Sequence, residues 1–283
     1  MREESAKLGK KYFQVAFIVL LLTIFQVNVY ANQEVGPGRN DFPPVLMYHD
    51  IKVKPINGFD VSRKDFVKQL DWLIEQGYHS LSLYEFLACS NSNLPFPEKS
   101  ILITFDDGYE GIYQYAAPEL TKRNMHATFF VFSKGINSAL PGYPYVTDTQ
   151  LKELAANSLF SIQSHTITHA DLSDSSLTKI QQEVEESKTF IENFTRKPCR
   201  VIAYPYGHYN REVLQVVEEA GYEAAFSVSD LGLMDVEAKY TIPRIYMGVL
   251  LGENDMELFK KYIAEYKNMP PDAFKERFGD LPQ

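Results

Sequence analysis

The sequence lacks several features that mark common classes of protein. Only two cysteines, Cys89 and Cys199, occur among its 283 residues, so at most one disulfide can form in an oxidising compartment. Two free, buried thiols are the alternative. No glycine-rich dinucleotide or phosphate loop follows any predicted strand, which removes the usual reason to expect an open nucleotide-binding sheet.

The sequence also lacks an excess of positive charge. It contains 28 Lys and Arg residues against 37 Asp and Glu residues, a net charge of −9. Residues 1–31 hold four of the basic and two of the acidic residues, so the rest of the chain is more acidic still. We therefore expect no binding to nucleic acid or to anionic membrane surfaces, and partners that are neutral or cationic.

One long apolar run, residues 15–25, follows a basic opening near the N-terminus. Val29 and Ala31 then supply the small residues that precede a cleavage site, so residues 1–31 are predicted to form a secretory signal peptide. An uncleaved membrane anchor is the alternative, although the apolar segment is barely long enough to span a bilayer and contains polar residues. We expect an exported protein, which is periplasmic, cell-surface or secreted, with membrane contact only through an uncleaved N-terminal segment.

Beyond this segment, residues 32–43 are polar and rich in glycine and proline and predict a linker, so residues 44–283 are expected to form a single domain. Short β-prone runs there alternate about seven times with amphipathic segments, which predicts an α/β fold with a mostly parallel sheet. The number of units favours a closed or nearly closed barrel. The predicted strands cover residues 44–49, 101–105, 127–132, 160–164, 200–204, 224–228 and 240–246.

The predicted helices rest on capping residues and on apolar spacing. Ser62 and Asp65 form a capping box ahead of a helix whose buried face is predicted to carry Phe66, Leu70 and Ile74. The other main helices are predicted over residues 110–123, 151–156, 177–194 and 213–220.

Four polar clusters directly follow predicted strands. They are His49, the pair Asp106 and Asp107, the two histidines of SHTITH (164–169), and the turn YPYG (204–207). In parallel α/β sheets and barrels, functional side chains lie at the carboxyl ends of the strands. We therefore expect these four clusters to face one mouth of the barrel.

The segment SHTITH contains two histidines, His165 and His169, that can direct both imidazoles at one centre if the segment curls like a helical turn. With one carboxylate they make a His₂–Asp metal site that leaves positions open for water and substrate. The aspartate pair can supply that carboxylate. A dication also offsets the repulsion between two adjacent carboxylates, and the second aspartate can then take a proton from water.

Each cluster has a simpler explanation when it is taken alone. Asp-Asp-Gly is often a turn or a helix N-cap, and an isolated HxxxH pattern is often surface decoration. His49 can be a core histidine, and YPYG predicts a turn. The coincidence of all four at strand ends favours a functional site.

The same motifs carry a resemblance to a known family. TFDDGY (104–109), SHTITHADLS (164–173) and AYPYGHYN (203–210) resemble the polysaccharide deacetylases, over about residues 44–247. The resemblance implies a metal-dependent deacetylase of acetylated glycans on a distorted (β/α) barrel. PVLMYHDI (44–51) is similar to the branch that acts on poly-β-1,6-N-acetylglucosamine, a biofilm exopolysaccharide, and implies the removal of N-acetyl groups from that polymer.

The resemblance also implies roles for single residues. Asp106 is implied as the general base, and Asp107, His165 and His169 as the metal ligands. The backbone N–H of Tyr206 is implied to help bind the oxyanion. Zinc is the first choice of metal for two nitrogens and one carboxylate, and nickel, cobalt and iron(II) are chemically possible.

The sequence departs from the family pattern at two points. Many members carry a late histidine as general acid, whereas no histidine follows His208 here. In the poly-N-acetylglucosamine branch the MYH histidine is thought to take that role, which implies His49. Many relatives also place an arginine before the Pro-Tyr-Gly turn, in contact with the base. Arg200 and Arg244 are the candidates to replace it, and the sequence leaves the choice open.

Three other functions remain as alternatives. A deacetylase of peptidoglycan or of chitin-like oligosaccharides would use the same site with a different glycan groove. A non-catalytic glycan-binding protein would keep the fold, but it would not need a base beside a metal. A small-molecule C–N hydrolase on the same scaffold fits less well with export and with the MYH element.

Overall fold

The computed structural model describes residues 42–92, 94–228, 238–248 and 256–266. The predicted signal peptide and nearly all of the predicted linker lie outside the described residues. Within the described ranges, none of the helices has the length and hydropathy that a bilayer-spanning segment needs.

Parallel strands build the main sheet. The strands of the described residues are β1 (Val45–Tyr48), β2 (Asp50–Lys52), β3 (Asp60–Ser62), β4 (His79–Ser80), β5 (Ser100–Phe105), β6 (Ala127–Val131), β7 (Ala139–Leu140), β8 (Tyr143–Pro144), β9 (Phe160–Ser164), β10 (Val201–Ala203), β11 (Ala224–Phe226) and β12 (Ile245–Tyr246). Eight of them form one sheet in the order β11-β10-β9-β6-β5-β1-β12, with β4 beside β5. Every residue of β1 and β5 is buried, as expected for parallel strands that are covered on both faces.

Helices connect the strands of this sheet. In the described residues they are α1 (Arg63–Glu75), α2 (Leu83–Ser92), α3 (Ala117–Lys122), α4 (Asp148–Ala156), α5 (Leu177–Thr195), α6 (Arg211–Glu219) and α7 (Met256–Glu265). A π-helix over Ile112–Ala116 leads directly into α3, within the range where the sequence predicts one continuous helix.

Helix α1 begins as predicted but buries a different face. The Ser62 side chain accepts a hydrogen bond from the Asp65 backbone N–H and caps the helix. Phe66 and Leu70 are buried, but Ile74 is 45% exposed and Leu73 is fully buried in its place. At 100° per residue Leu73 lies almost directly above Phe66, whereas Ile74 has turned further around the helix, so the prediction of Ile74 in the core was wrong.

A short segment ending in β12 joins the two edges of the sheet. Ile242 forms an isolated bridge with Phe226 of β11, and Ile245 pairs with Leu46 of β1. Residues 242–246, which include the edge strand β12, therefore contact the opposite edge strand β11 as well as β1. This closure confirms the predicted fold, a distorted (β/α) barrel.

The segment is not the single strand that was predicted over residues 240–246. Only Ile245–Tyr246 forms a regular strand, and a 3₁₀-helix occupies Ala238–Tyr240. Pro243 lies where the segment leaves β11 for β1, and proline has no N–H to donate to a ladder. The change of partner therefore interrupts the strand.

The two cysteines are not paired with one another. Cys199 is buried and Cys89 is half-buried, and both are free thiols. Burial raises the pKa of the Cys199 thiol to about 12, so this side chain stays protonated and unreactive near neutral pH. Of the two alternatives that the sequence left open, free thiols are the one observed, with Cys89 less buried than expected.

Candidate active site

The three predicted metal ligands meet at the carboxyl ends of β5 and β9. Asp107, His165 and His169 each offer one ligand atom, and these atoms all lie within 4.8 Å of one another. The Nε2 atoms of His165 and His169 lie 3.4 Å and 3.3 Å from Asp107 Oδ1. Among the described residues, this buried oxygen has no partner in hydrogen-bonding geometry.

The orientation of His165 indicates why no hydrogen bond forms. Its Nδ1 lies 2.8 Å from the carbonyl oxygen of Ala203. Because a carbonyl oxygen only accepts, Nδ1 carries the hydrogen and donates it, and in the neutral ring Nε2 presents a lone pair to Asp107. Two facing lone pairs repel one another unless a cation lies between them. The orphaned carboxylate oxygen and the fixed ring therefore fit a metal ion.

The pKa values of this group point the same way. Burial alone would raise the pKa of Asp107, but contacts with His165 and His169 hold it well below its usual range. Burial alone would lower the pKa of His169, but the adjacent Asp107 carboxylate raises it overall. The site therefore holds an ionised carboxylate and attracts positive charge, which either a proton or a metal ion can supply.

Asp106 has a different partner from Asp107. The fully buried Arg244 donates two hydrogen bonds to Asp106, from Nη1 to Oδ1 and from Nη2 to Oδ2. Each has a donor–acceptor distance of 2.7 Å. Arg244 Nε also donates to the carbonyl oxygen of Ser227 at 3.1 Å. Burial would raise the pKa of Asp106, but Arg244 is the largest of the charges that bring it below its ordinary value. This bidentate pair keeps Asp106 ionised and fixes the plane of its carboxylate.

Arg244 therefore occupies the position that the sequence left open between two arginines. It lies on the segment that closes the barrel, which carries its side chain into the interior. Arg200 instead pairs with Glu223 at the surface, with its Nη1 3.2 Å from Glu223 Oε1.

His49 follows β1 and lies close to both aspartates. Its ring packs against Phe59 and Tyr246, with centroid distances of 5.2 Å and 5.6 Å. Nδ1 is buried, and no described residue hydrogen-bonds to it. Burial lowers the pKa of His49, although the charges of Asp107 and Asp106 oppose that shift.

Tyr206 lies in the short turn Pro205–Gly207 after β10. Its backbone is left-handed, with φ 60° and ψ 2°, and its ring packs edge-on against His169 at 4.8 Å. Gly207 follows with φ 71°, and a Cβ there would lie 2.6 Å from the backbone nitrogen of Val228. The turn therefore needs glycine at this position and lies against the candidate metal ligands.

Two further residues bear on the site and were not identified from the sequence. Tyr109 follows the aspartate pair, and burial together with the charge of the Asp107 carboxylate raises its pKa. Glu183 is fully buried on α5 and hydrogen-bonds to the loop between the two histidines. A charged residue next to Ile180 and Val184, in the apolar stripe of a predicted helix, was the signal that could have identified Glu183.

Comparisons with known proteins agree with this geometry. A family model described as polysaccharide deacetylase matches residues 93–225. YxkH of Bacillus subtilis (strain 168), which is named provisionally as a polysaccharide deacetylase, is 34% identical over 202 residues, 71% of this chain and 70% of that protein. The chain belongs to the polysaccharide deacetylase family. The family resemblance of the three motifs is thereby confirmed.

Two further proteins are similar to this polysaccharide deacetylase over most of its length. The poly-β-1,6-N-acetyl-D-glucosamine N-deacetylase of Staphylococcus aureus (strain N315) is 29% identical over 269 residues, 83% of this chain and 92% of that protein. The structure of the Streptococcus pyogenes deacetylase PplD in complex with acetate matches with a TM-score of 0.64 and 25% identity, over 85% of this chain and 98% of that chain. In this polysaccharide deacetylase, His49 and Arg244 lie outside the matched residues 93–225.

Proposed function

We propose that the chain is a metal-dependent polysaccharide N-deacetylase and that its substrate is poly-β-1,6-N-acetylglucosamine. The observation that carries the proposal is the convergence of Asp107, His165 and His169 beside Asp106, which Arg244 keeps ionised. The choice of polymer is supported by the similarity to the S. aureus enzyme and by the position of His49 beside the aspartates.

Asp107, His165 and His169 would hold the metal ion. A divalent cation there makes a water molecule more acidic and polarises the acetyl carbonyl group. Two imidazoles and one carboxylate suit zinc first, with nickel, cobalt and iron(II) as alternatives. His165 is already oriented for this role by its hydrogen bond to Ala203.

Asp106 acts as the general base. It accepts a proton from the attacking water, whose oxygen forms a bond to the acetyl carbon. The two hydrogen bonds from Arg244 keep the carboxylate ionised and oriented before the proton arrives. After the transfer, Asp106 is neutral and Arg244 retains its contact with the Ser227 carbonyl.

The backbone N–H of Tyr206 donates to the oxyanion that develops on the acetyl oxygen. The left-handed conformation of Tyr206 sets the direction of this turn at the histidine ligands. A donor that is fixed before the reaction stabilises developing charge without reorganisation, which is the usual basis of an oxyanion hole.

His49 supplies the second proton. As the C–N bond breaks, protonated His49 donates to the sugar nitrogen, and the products are acetate and a free amine. Its lowered pKa makes the protonated ring a stronger acid, and the two nearby carboxylates favour its protonation.

The test is the release of free amines by the metal-loaded protein from poly-β-1,6-N-acetylglucosamine, chitin oligosaccharides and peptidoglycan. We expect the highest kcat/KM on the first polymer, release lowered by roughly 10²–10⁴-fold in Asp106→Asn, and strongly reduced release by a folded His49→Ala variant. Faster release from peptidoglycan or chitin oligosaccharides would reassign the substrate. Glycan binding without any amine release would contradict the enzymatic function.

We also propose that the enzyme is exported, with residues 44–283 as its deacetylase domain behind a linker over residues 32–43. The proposal is supported by the basic opening and apolar run of residues 1–31. N-terminal sequencing of the protein recovered outside the cytoplasm should begin at Asn32. A chain that still begins at Met1 and fractionates with membranes would indicate the uncleaved anchor instead.

A further inference from the structure

The loop that carries both histidines has an unusual backbone. Thr166 and His169 have φ angles of 70° and 60°. These angles lie in the left-handed region, which residues other than glycine rarely adopt. Such a conformation persists only where its surroundings hold it in place. On one side, the backbone N–H groups of Ser133 and Lys134 donate to the carbonyl oxygens of Thr166 and Ile167, at 3.2 Å and 2.9 Å.

Glu183 holds the other side of this loop. Its Oε2 accepts hydrogen bonds from the backbone N–H groups of Ile167 and Thr168, both at 2.8 Å. Its Oε1 accepts from the Thr168 hydroxyl at 2.6 Å and pairs with Lys179 Nζ at 2.7 Å. The carboxylate thus contacts the two residues midway between the histidines and neither histidine itself.

Burial makes this arrangement costly unless all of these bonds are made. The Glu183 side chain has no exposed surface, and burial alone would raise its pKa. The hydrogen bonds from Lys179, Thr168 and Ile167 bring the pKa below its ordinary value, so the group is a carboxylate. A buried charge that is matched by four donors specifies one geometry, because any other loop conformation would leave it unpaired.

We propose that Glu183 is a positioning residue for the metal centre. By fixing residues 167 and 168 it places the two histidine Nε2 atoms at the distances from Asp107 that a shared metal ion requires. The inference rests on the proposed metal site, and it places a determinant of metal affinity on α5, outside the DDGY, HTITH and YPYG motifs.

The chemistry of the four donors explains why glutamate is needed. Glutamine has the same length, but its amide NH₂ would face either the two backbone N–H groups or the Lys179 ammonium and the Thr168 hydroxyl. Aspartate is one methylene shorter and would fall short of the loop. Substitution should therefore loosen the loop even where the rest of the barrel stays folded.

The test compares Glu183→Gln with Glu192→Gln. Glu192 lies on the same helix, pairs with Lys188 four residues earlier at 2.8 Å, and accepts from the backbone N–H of Cys199 at 3.2 Å. It therefore reproduces the ion pair and the backbone contact of Glu183 without touching the histidine loop. Zinc affinity of the exported chain is measured by competition with a chromophoric chelator, at a temperature where circular dichroism shows each variant to be folded.

We expect zinc affinity to fall by about 10–100-fold in Glu183→Gln, the usual effect of losing a group that orients metal ligands, and to stay within about twofold of wild type in Glu192→Gln. The visible absorption of the cobalt-loaded protein should change in Glu183→Gln alone, because it reports ligand geometry. Wild-type zinc affinity and an unchanged cobalt spectrum in Glu183→Gln would overturn the inference, even if the variant were less stable.

Two further variants keep the outcome decisive. If Glu183→Gln does not fold, Thr168→Val removes only the hydroxyl contact, and wild-type zinc affinity in that variant overturns the inference. His165→Ala in the same titration tests the metal site itself. A wild-type chain that binds no divalent ion overturns the proposed function and this inference together, whereas tight wild-type binding that Glu183→Gln leaves unchanged overturns this inference alone.

Discussion

Two acidic clusters of this protein differ in how their charges are matched. Between α1 and α3, Glu119 is nearly buried, and both of its oxygens are paired, Oε1 with Arg63 at 2.6 Å and Lys122 at 3.0 Å, and Oε2 with Arg123 at 2.8 Å. At the mouth of the barrel, Asp106 is matched by Arg244, but Asp107 Oδ1 has no hydrogen-bond partner among the described residues.

The difference separates a structural acid from one that is available to a ligand. Every charge around Glu119 is supplied by the chain, so that cluster is complete when the protein folds. The mouth directs an unpaired carboxylate oxygen and two imidazole nitrogens at one point, which leaves a positive charge to be supplied from outside. Changes at the mouth should therefore affect activity most, and changes at Glu119 should affect stability alone.

Metal removal should have the largest effect. Dialysis against a chelator should abolish amine release, because Asp107, His165 and His169 would then hold no cation to make the attacking water more acidic, and zinc, nickel or cobalt should restore it. At a free zinc concentration of about 100 times the dissociation constant, metal binding should also stabilise the fold by about 2.7 kcal/mol. Chemical denaturation with and without zinc measures this difference. Elemental analysis shows whether the dialysed protein is free of metal. Full activity in metal-free protein would contradict the claim that the mouth needs a cation from outside the chain. Loss of the stabilisation in His165→Ala would support it.

Asp106→Asn should have the next largest effect, a fall in kcat of roughly 10²–10⁴-fold, because the amide cannot accept the proton of the attacking water. Zinc content should stay near that of wild type, since Asp107 and the two histidines are unchanged. The matched control is Glu119→Gln, which removes a carboxylate charge from the complete cluster and should leave kcat unaltered. Similar losses of kcat in both variants would erase the distinction between the clusters.

Among the substitutions at these two clusters, Arg244→Gln should lower the stability of the fold most. It leaves Asp106 buried without its cation, and breaking a buried ion pair costs about 3–5 kcal/mol. Urea denaturation measures this loss. The double variant Asp106→Asn/Arg244→Gln removes both charges and should recover part of the stability. No recovery would show that the guanidinium acts mainly through its bond to Ser227.

Glu119→Gln should have the smallest effect, at most about 1 kcal/mol of stability at pH 7, because two of the three partners are largely exposed. Hydrogen bonds from Arg63, Arg123 and Lys122 lower the pKa of Glu119 to about 2. A lowered pKa stabilises the fold above the unfolded-state pKa of about 4.3, and this contribution is lost as the pH falls towards 2. The stability gap between wild type and variant should therefore narrow from pH 5 to pH 2.5, and a constant gap would contradict the assignment.

Much of the fold and of the site followed from local pattern. Strand β9, over Phe160–Ser164, was predicted with its observed ends, because a short β-prone run is bounded by turn residues on both sides. The predicted metal ligands were reached from the rule that functional groups follow parallel strands, together with the family motifs. Errors arose where tertiary context decides, as at Ile74 and in the interrupted strand over residues 240–246.

The sequence by itself determined most of the main strands and helices and the four polar clusters that follow the strands, because helical and strand periodicity and the polar groups after each strand are local properties. Only the tertiary structure decided which groups pair with the buried carboxylates. Arg244 and Asp106 are 138 residues apart, and Glu183 reaches the histidine loop from the middle of α5. Those contacts depend on how the barrel closes and how α5 packs, and no local pattern distinguishes Arg244 from Arg200 before the chain has folded.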